Sequence, residues 1–337
     1  MHRGARATLQ DVAREAGVSI KTVSRVVNHE RSVSPAMVER VVEVISRLGY
    51  QPNELARSLR GNRTRTVGLM IADVSNPFFA ECCKAIDEVA RSHGYSVILC
   101  ASAEDAESER EYIGLLTRRR VDGLLLAPAA GGQSHRELDL VAGPAVVAFD
   151  RPFEGAETDA VLVTNRDGAR EAAEHLVGHR HRRIAFLGDD GRIYTARERL
   201  EGYREAMESS GLEAIHRLGT GSIAAAEKAT DELLEMQDPP TAFLAGNGLI
   251  TAGVLRTLDR AGLRVPGDVA VVGFDDFDLM SALSPRLTAV RQPTRELGRR
   301  AAELLFDRLE GRDSSPPRHL VLPTELVVRG SCGCDVR

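Results

Sequence analysis

Eight strand-length apolar runs punctuate the chain from residue 66 onward, and they limit its fold more than any other feature. They read TVGLMIA, SVILCAS, GLLLAP, AVVAFD, AVLVTN, RIAFLGD, TAFLAGN and VAVVGFDD. Most lead into a helix-length amphipathic segment, such as 77–92 or 194–210. Strands that are apolar at every position are covered on both faces, and the intervening helices supply the crossovers that parallel pairing needs. Eight such strands in roughly 265 residues suit two doubly wound lobes better than one sheet. The segment 291–311 adds a strong amphipathic helix, and RHLVLPTELVVRGS, 318–331, reads as a final strand pair.

Charge separates the first residues from this α/β body. Residues 1–65 hold 12 Lys and Arg against 6 Asp and Glu, and the remainder holds 32 against 43. A basic head on an acidic body points to nucleic acid as a partner of the head alone. The head reads as three short helices, a small all-α unit. Thr8 is placed to cap the first, with Asp11 reaching back in a capping box, and Gly17 ends it. Ser19 caps the second, which runs to about Val27. Ser34 caps the third with Pro35 in its first turn, and Val38, Val41, Val42, Ile45 and Leu48 repeat along it as far as Gly49. Leu9, Val12, Ala13 and Ala16 form one apolar face, and Val23, Val26 and Val27 form the inward side of the second helix. Ile20, Lys21, Ser24 and Arg25 then face outward, as a helix entering a major groove requires. The same pattern alone also fits an ordinary helical hairpin with charged outer faces.

Three longer strings narrow the choice. DVAREAGVS, TVSRVVN and VSPAMVERVVEVISRLGYQPN, in that order, resemble the N-terminal signature of the LacI/GalR family of bacterial transcription regulators. The resemblance implies a helix-turn-helix DNA-binding domain over 1–52, a hinge helix or linker over 53–65 and an effector-binding domain over 66–337. That domain would have the two-lobed, type I periplasmic-binding-protein-like fold, with one lobe near 66–164 and 293–322 and the other near 165–290 and 323–337. The resemblance makes Ile20, Lys21 and Arg25 readers of base edges, while Thr8, Ser19, Thr22, Ser24 and Asn28 mainly hold phosphates. An arginine suits a bidentate contact with guanine, and phosphate contacts set register. In LARSLRGN, residues 55–62, it makes Leu59 a minor-groove wedge with Ala56 packed beside it, and Arg57 and Arg60 phosphate contacts. The alternative for that stretch is a solvated tether, since a helix of about two turns is unstable alone in water.

Ligands of doubly wound sheets sit at the carboxyl ends of strands. Asp73, Asn76, Phe78 and Phe79 follow the first strand, Asp150 and Arg151 follow AVVAF, Asn247 follows TAFLAG and Asp275 follows VAVVGF. Arg199 lies in a helix, and Gln292 lies in the crossover TAVRQP. Carboxylates, amides and arginines beside an aromatic ring are how a cleft binds a polyhydroxylated ligand, each hydroxyl finding a partner. This string resembles the ribose-type members of the same superfamily. Helix capping or interlobe salt bridging is the structural alternative for any one of these residues, and for Asp275 in particular, since Asp276 is adjacent. Two departures stand out. Gly248 follows Asn247 where the family usually has Asp, and GTGSIAAAEKA lacks the aromatic often found there, which predicts a more open wall. A sugar effector is favoured over a purine, because no second stacking surface for a base is evident.

Other chemistry finds little support. No G-x-G-x-x-G or G-x-x-x-x-G-K-[ST] follows a strand, and no nucleophile elbow occurs, so no catalytic residue and no cofactor is assigned. His175, His179 and His181 have a spacing that a metal could use. Without nearby Cys or carboxylate partners in the sequence they read instead as a helix end, where cations meet the negative end of the dipole. The terminal SCGC reads as a reduced, mobile tail, and no metal site is assigned. No apolar stretch of about 18 residues appears, and MHRGARATLQ lacks the apolar core of a secretory signal, so a cytoplasmic location and no membrane partner are expected.

The expected protein is a homodimeric, effector-tuned repressor that binds a pseudo-palindromic duplex operator. Its rivals are a regulator with a purine or nucleoside co-repressor, a sugar-binding receptor without a transcriptional role, and an enzyme fused to a DNA-binding head.

Overall fold

A computed structural model of the chain describes residues 7–27, 32–50, 63–131, 145–153, 155 and 157–334. Two compact units divide it, residues 1–64 and residues 65–337.

The first unit holds helices α1 (Leu9–Ala16), α2 (Ile20–Val27) and α3 (Pro35–Leu48). Thr8 and Asp11 form the expected capping box: the Asp11 amide donates to Thr8 Oγ1, and the Thr8 amide donates to the Asp11 carboxylate at 3.0 Å. The Thr22 amide donates to Ser19 Oγ at 3.1 Å, so Ser19 caps α2. Ser34 occupies the capping position of α3 with extended backbone, but its side chain makes no capping hydrogen bond. Val12, Ala13, Ala16, Val23, Val26, Val41, Val44 and Tyr50 form the buried core. Val42, counted as apolar repeat from sequence, is exposed, and Val44 takes the inward place. The run Val41, Val42, Val44, Ile45 offers more apolar residues than one helical stripe can bury, so periodicity leaves the choice to tertiary packing.

The second unit carries two sheets of six strands each. The first is built from β1 (Thr66–Ile71), β2 (Ser96–Ala101), β3 (Gly123–Leu126), β4 (Ala145–Phe149), β5 (Asp159–Val163) and β11 (His319–Leu322), all parallel, in the order β11-β5-β4-β3-β1-β2. Helices α4 (Pro77–Ser92), α5 (Ala106–Arg118) and α11 (Thr294–Leu309) belong to this lobe. Its strands bury both faces. Leu69, Ile71, Val147 and Phe149 join α4 and α11 in one core, while Met70, Leu124, Leu126 and Ala148 meet Ile113 and Leu116 of α5 in another. Buried Asp159 anchors α11 by accepting Arg308 Nε at 2.7 Å and Nη2 at 3.0 Å.

The second sheet runs β12-β10-β9-β8-β6-β7, from β6 (Ile184–Leu187), β7 (Ile215–Arg217), β8 (Ala242–Ala245), β9 (Ala270–Phe274), β10 (Thr288–Arg291) and β12 (Glu325–Val327). Its helices are α6 (Asn165–Gly178), α7 (Tyr194–Ser209), α8 (Ile223–Leu234), α9 (Gly248–Arg260) and the short α10 (Asp278–Ala282). All pairs are parallel except β10 with β12. Two expectations are corrected here. The final strands do not pair with each other: β11 joins the first sheet, and β12 joins the second, antiparallel to β10. Strands β7 and β10 also went unrecognised, because three or four residues give too little pattern to separate a strand from a loop.

Candidate functional site

In the first unit, the packing of Val23 and Val26 sets which side of α2 meets solvent. Ser19, Ile20 and Lys21 are exposed, with Ile20 at 45%, and Thr22, Ser24 and Arg25 are half-buried. Of the expected base readers, Ile20 and Lys21 therefore stand in the first turn of the helix, where the backbone amides carry partial positive charge, and Arg25 stands in its last turn. Thr8, Ser19 and Thr22, expected to hold phosphates, each make a local bond as well. Thr8 Oγ1 donates to Asp11 at 2.6 Å, and Ser19 Oγ lies 2.9 Å from Thr22 Oγ1. Asn28, Ala56, Arg57, Leu59 and Arg60 lie outside the described residues.

In the second unit, one cleft of about 390 Å³ lies between the two lobes at the carboxyl ends of the strands. Asp73, Asn76, Phe78, Phe79, Asp150, Arg151, Arg199, Asn247, Asp275 and Gln292 all line it. Both sheets reverse their winding direction at this edge, between β1 and β3 and between β6 and β8, which leaves the crevice that such folds use for ligands.

Strand ends aim the carboxylates. Asp150 and Asp275 adopt left-handed backbone, φ 68° and φ 77°, immediately after β4 and β9. Such strain in non-glycine residues concentrates at binding sites. Arg151 is buried against three acceptors: Asp150 at 3.2 Å, Glu104 at 2.9 Å and the Pro128 carbonyl at 3.2 Å. Arg199 donates to Asn165 Oδ1 at 2.8 Å and the Gly246 carbonyl at 2.7 Å, and its guanidinium lies 3.7 Å above the Phe274 ring. Burial pushes the Arg199 guanidinium down, an effect that Asp275 and Asp150 oppose. Burial also raises the Asp275 and Glu104 carboxyls above the usual carboxylate range, against the pull of Arg199 and Arg151 respectively.

Several side chains are committed by the fold and others keep capacity for a ligand. Asn76 and Asn247 cap α4 and α9, accepting from the amides of Phe78 at 3.0 Å and Ile250 at 2.9 Å. Asp275 accepts from Gln292 Nε2 and from the Gly248 amide. Gln292 Oε1 is buried in the cleft wall with no hydrogen-bond partner among the described residues, an acceptor placed for an incoming donor. A structural role was the alternative for Asp275, yet it is the adjacent Asp276 that pairs with the arginines of its own lobe, Arg291 and Arg329. Burial alone would raise its carboxyl, but hydrogen bonds from Arg329 and Arg291 outweigh that and hold it below the usual range.

The cleft also holds residues that sequence reasoning missed. Glu104, Phe186, Asp189, Asp190, Thr195, Gly219, Gly221 and Ser222 contribute to the lining. Asp189 and Asp190 follow β6 in RIAFLGDD, so the strand-end rule that found Asp150 identifies them too. Gly219, Gly221 and Ser222 form the wall where an aromatic is absent. A Cβ at Gly221 would lie 2.1 Å from Asp189 Oδ1, so glycine is what lets that carboxylate stand in the wall. Phe186, 1% exposed and stacked on Tyr203, adds an aromatic ring from the other lobe to Phe78 and Phe79. In total the lining sets six carboxylates against two guanidiniums.

Residues 8–53 match the model of the lacI family of bacterial regulatory proteins, and residues 173–332 match the periplasmic binding protein-like domain. The chain is 35% identical over 331 residues to the HTH-type transcriptional repressor PurR of Photobacterium profundum, spanning 96% of this chain and 98% of that protein. The chain belongs to the LacI family. It is also 36% identical over 330 residues to the ribose operon repressor of Escherichia coli, spanning 96% of this chain and 99% of that one. Among solved structures, the lac repressor dimer bound to operator and the anti-inducer ONPF superimposes with a TM-score of 0.88 at 29% identity, covering 97% of this chain and 99% of that chain. The helix-turn-helix and two-lobed expectations both hold for this LacI-family regulator. Among its described residues no helix is long and apolar enough to cross a membrane.

Proposed function

We propose that this LacI-family protein is a homodimeric transcriptional repressor whose hold on its operator is set by a neutral sugar in the interlobe cleft. The observation that carries the effector assignment is the composition of the cleft: six carboxylates, two buried guanidiniums and an unpartnered amide oxygen. Carboxylates accept from hydroxyls and repel anions, so a polyhydroxylated, uncharged ligand fits and a phosphorylated one does not. Two copies of α2 contact the half-sites of a pseudo-palindrome, with Arg25, Lys21 and Ile20 at base edges. Sugar binding changes the angle between the lobes, and its effect on operator affinity equals its differential affinity for the two arrangements. The relatives' names favour a repressor and allow either a ribose-like sugar or a purine. Phe186 is the one observation in favour of a nucleoside, since it places a ring on the lobe opposite Phe78 and Phe79.

Isothermal titration of the full-length protein against pentoses, hexoses, their phosphates and purine nucleosides separates these readings. A neutral sugar is expected to bind and then to shift operator affinity in a gel assay. Binding of a nucleoside alone, or of a sugar phosphate in preference to its parent sugar, would replace the assignment. A sugar that binds and leaves operator affinity unchanged would break the link between cleft and reader.

A further inference from the structure

In sequence the histidines of α6 lack Cys or carboxylate partners nearby and SCGC reads as a reduced, mobile tail, and the fold removes both objections. His175 lies in the last turn of α6 and His179 at its C-terminal cap, one helical turn apart on one face. The described residues that follow β12, 328–334, are hydrogen-bonded to the second lobe, which corrects the reading of SCGC as a mobile tail. The Thr288 amide donates to Ser331 Oγ at 2.8 Å, Ser331 Oγ donates to the Val271 carbonyl at 2.6 Å, and the Ser331 amide donates to the Arg286 carbonyl at 3.1 Å. Cys332, at the end of a 3-10 turn, is fully buried in the core of the second lobe. Gly333 takes φ +90°, a left-handed turn that brings the next thiol back to the same side.

The result is a four-residue cluster. His175 Nε2 lies 3.2 Å from Cys332 Sγ and 3.6 Å from Cys334 Sγ, and His179 Nε2 lies 2.9 Å from Cys334 Sγ. The ligand atoms of all four residues fall within 4.8 Å of one another. Hydrogen bonds between thiols and imidazoles account for part of this geometry, but not for the crowding at His175. One imidazole nitrogen has a single lone pair, yet both sulfurs approach it. A tetrahedral ion bound at Zn–S and Zn–N bond lengths spaces N and S ligands about 3.5 Å apart and two sulfurs about 3.8 Å apart. His181 stays outside the set, its Nδ1 directed at Thr241 Oγ1 at 3.0 Å.

We propose that His175, His179, Cys332 and Cys334 form a closed, tetrahedral Cys2His2 site for one zinc-type divalent cation. Two thiolates and two neutral imidazoles balance a dication, and the absence of carboxylates from the set selects against magnesium and calcium. Four protein ligands leave no open position, so the ion's role is structural: it fastens the C-terminal tail to the end of α6. The Thr288 hydroxyl donates to Cys332 Sγ at 3.1 Å and orients that ligand, as outer-shell donors do. The far end of the same helix carries Asn165, which holds Arg199 in the cleft, so the staple braces a helix that the effector site uses.

The test uses full-length protein purified under reducing conditions without an immobilised-metal step, then equilibrated with Zn2+ and dialysed. Elemental analysis is expected to find about one zinc per chain, and Co2+ in its place is expected to give the intense visible bands of tetrahedral cobalt with a thiolate charge-transfer band. Cys334→Ser and His179→Ala change the more accessible side of the cluster, and each is expected to weaken Zn2+ binding at least about 100-fold with an unchanged circular dichroism spectrum. The wild-type stoichiometry stands as a test even where a variant fails to fold. Less than about a tenth of an equivalent of zinc in the wild type would overturn the site. Full zinc retention in a Cys334→Ser, His179→Ala double variant would overturn it too, as would a Cys332–Cys334 disulfide that persists through the reducing purification.

Discussion

The reading helix and the effector cleft solve opposite recognition problems. Every described buried residue of the head is apolar, and the groups expected to meet DNA stand in solvent or at its edge around α2. In the cleft, Asp150, Arg151, Arg199, Asp275 and Gln292 are all 6% exposed or less, and each is held by neighbours. A duplex is a polyanion that brings its own field and releases its own counterions, so wet, adjustable side chains serve it well. A small neutral ligand brings little charge, and its site must be arranged before it arrives. Removing an arginine therefore has different consequences in the two places.

The largest effect is expected at Arg199. Arg199→Met leaves Asn165 Oδ1 and the Gly246 carbonyl without their donor and the Asp275 carboxylate without its counter-charge. Breaking a buried charged network in this way costs about 3–5 kcal/mol, readable as a lower midpoint in urea. A loss under about 1 kcal/mol would show that the cleft is as wet as the head and would break the comparison. The next effect is smaller and of another kind. Arg25→Ala is expected to cost about 1 kcal/mol of stability or less. It should weaken specific operator binding by about 1–3 kcal/mol and leave non-specific DNA binding much less affected. Equal losses on both kinds of DNA in a competition gel shift would demote Arg25 from base reader to phosphate contact.

The cleft was the more legible of the two lobes' features, and the reason is topological. Strand ends in doubly wound sheets converge, so residues far apart in the chain, such as Asp73, Asp150, Asn247 and Asp275, were placed together by one rule. The same rule covers Asp189. Glu104 follows β2 as well, but its left-handed backbone, φ 59°, has no signature in the sequence. The Cys2His2 cluster was invisible for a connected reason. His175 and Cys332 are 157 residues apart, and they meet only because β12 joins β10 and carries the tail with it. A three-residue strand states no partner, and pairing it with β11 placed the cysteines nowhere in particular. In the head the opposite held: local capping at Thr8 and Ser19 was readable, while the choice between Val42 and Val44 needed the third dimension.

Acid provides the smallest and finest contrast. Burial raises the Asp275 and Glu104 carboxyls, so each contributes folding stability that is fully present below the unfolded carboxyl value and lost as pH rises through its folded value. Asp276 runs the other way: its stabilising contribution is present above the unfolded value and lost as pH falls through its depressed folded value. The two behaviours belong to adjacent residues, Asp275 lining the cleft and Asp276 paired with Arg291 and Arg329. Ligand hydroxyls donate best to ionised Asp275 and Glu104, so sugar binding is expected to release protons as pH approaches their raised range from above. Lowering pH from neutrality into that raised range should then weaken sugar binding in titration calorimetry, with a released-proton signal that depends on buffer. Lysine and arginine contacts to DNA keep their charge over that interval, so operator affinity of the sugar-free protein should not follow the same curve. A parallel fall in both affinities would place the titrating groups outside the cleft and remove Asp275 and Glu104 from the account of sugar binding.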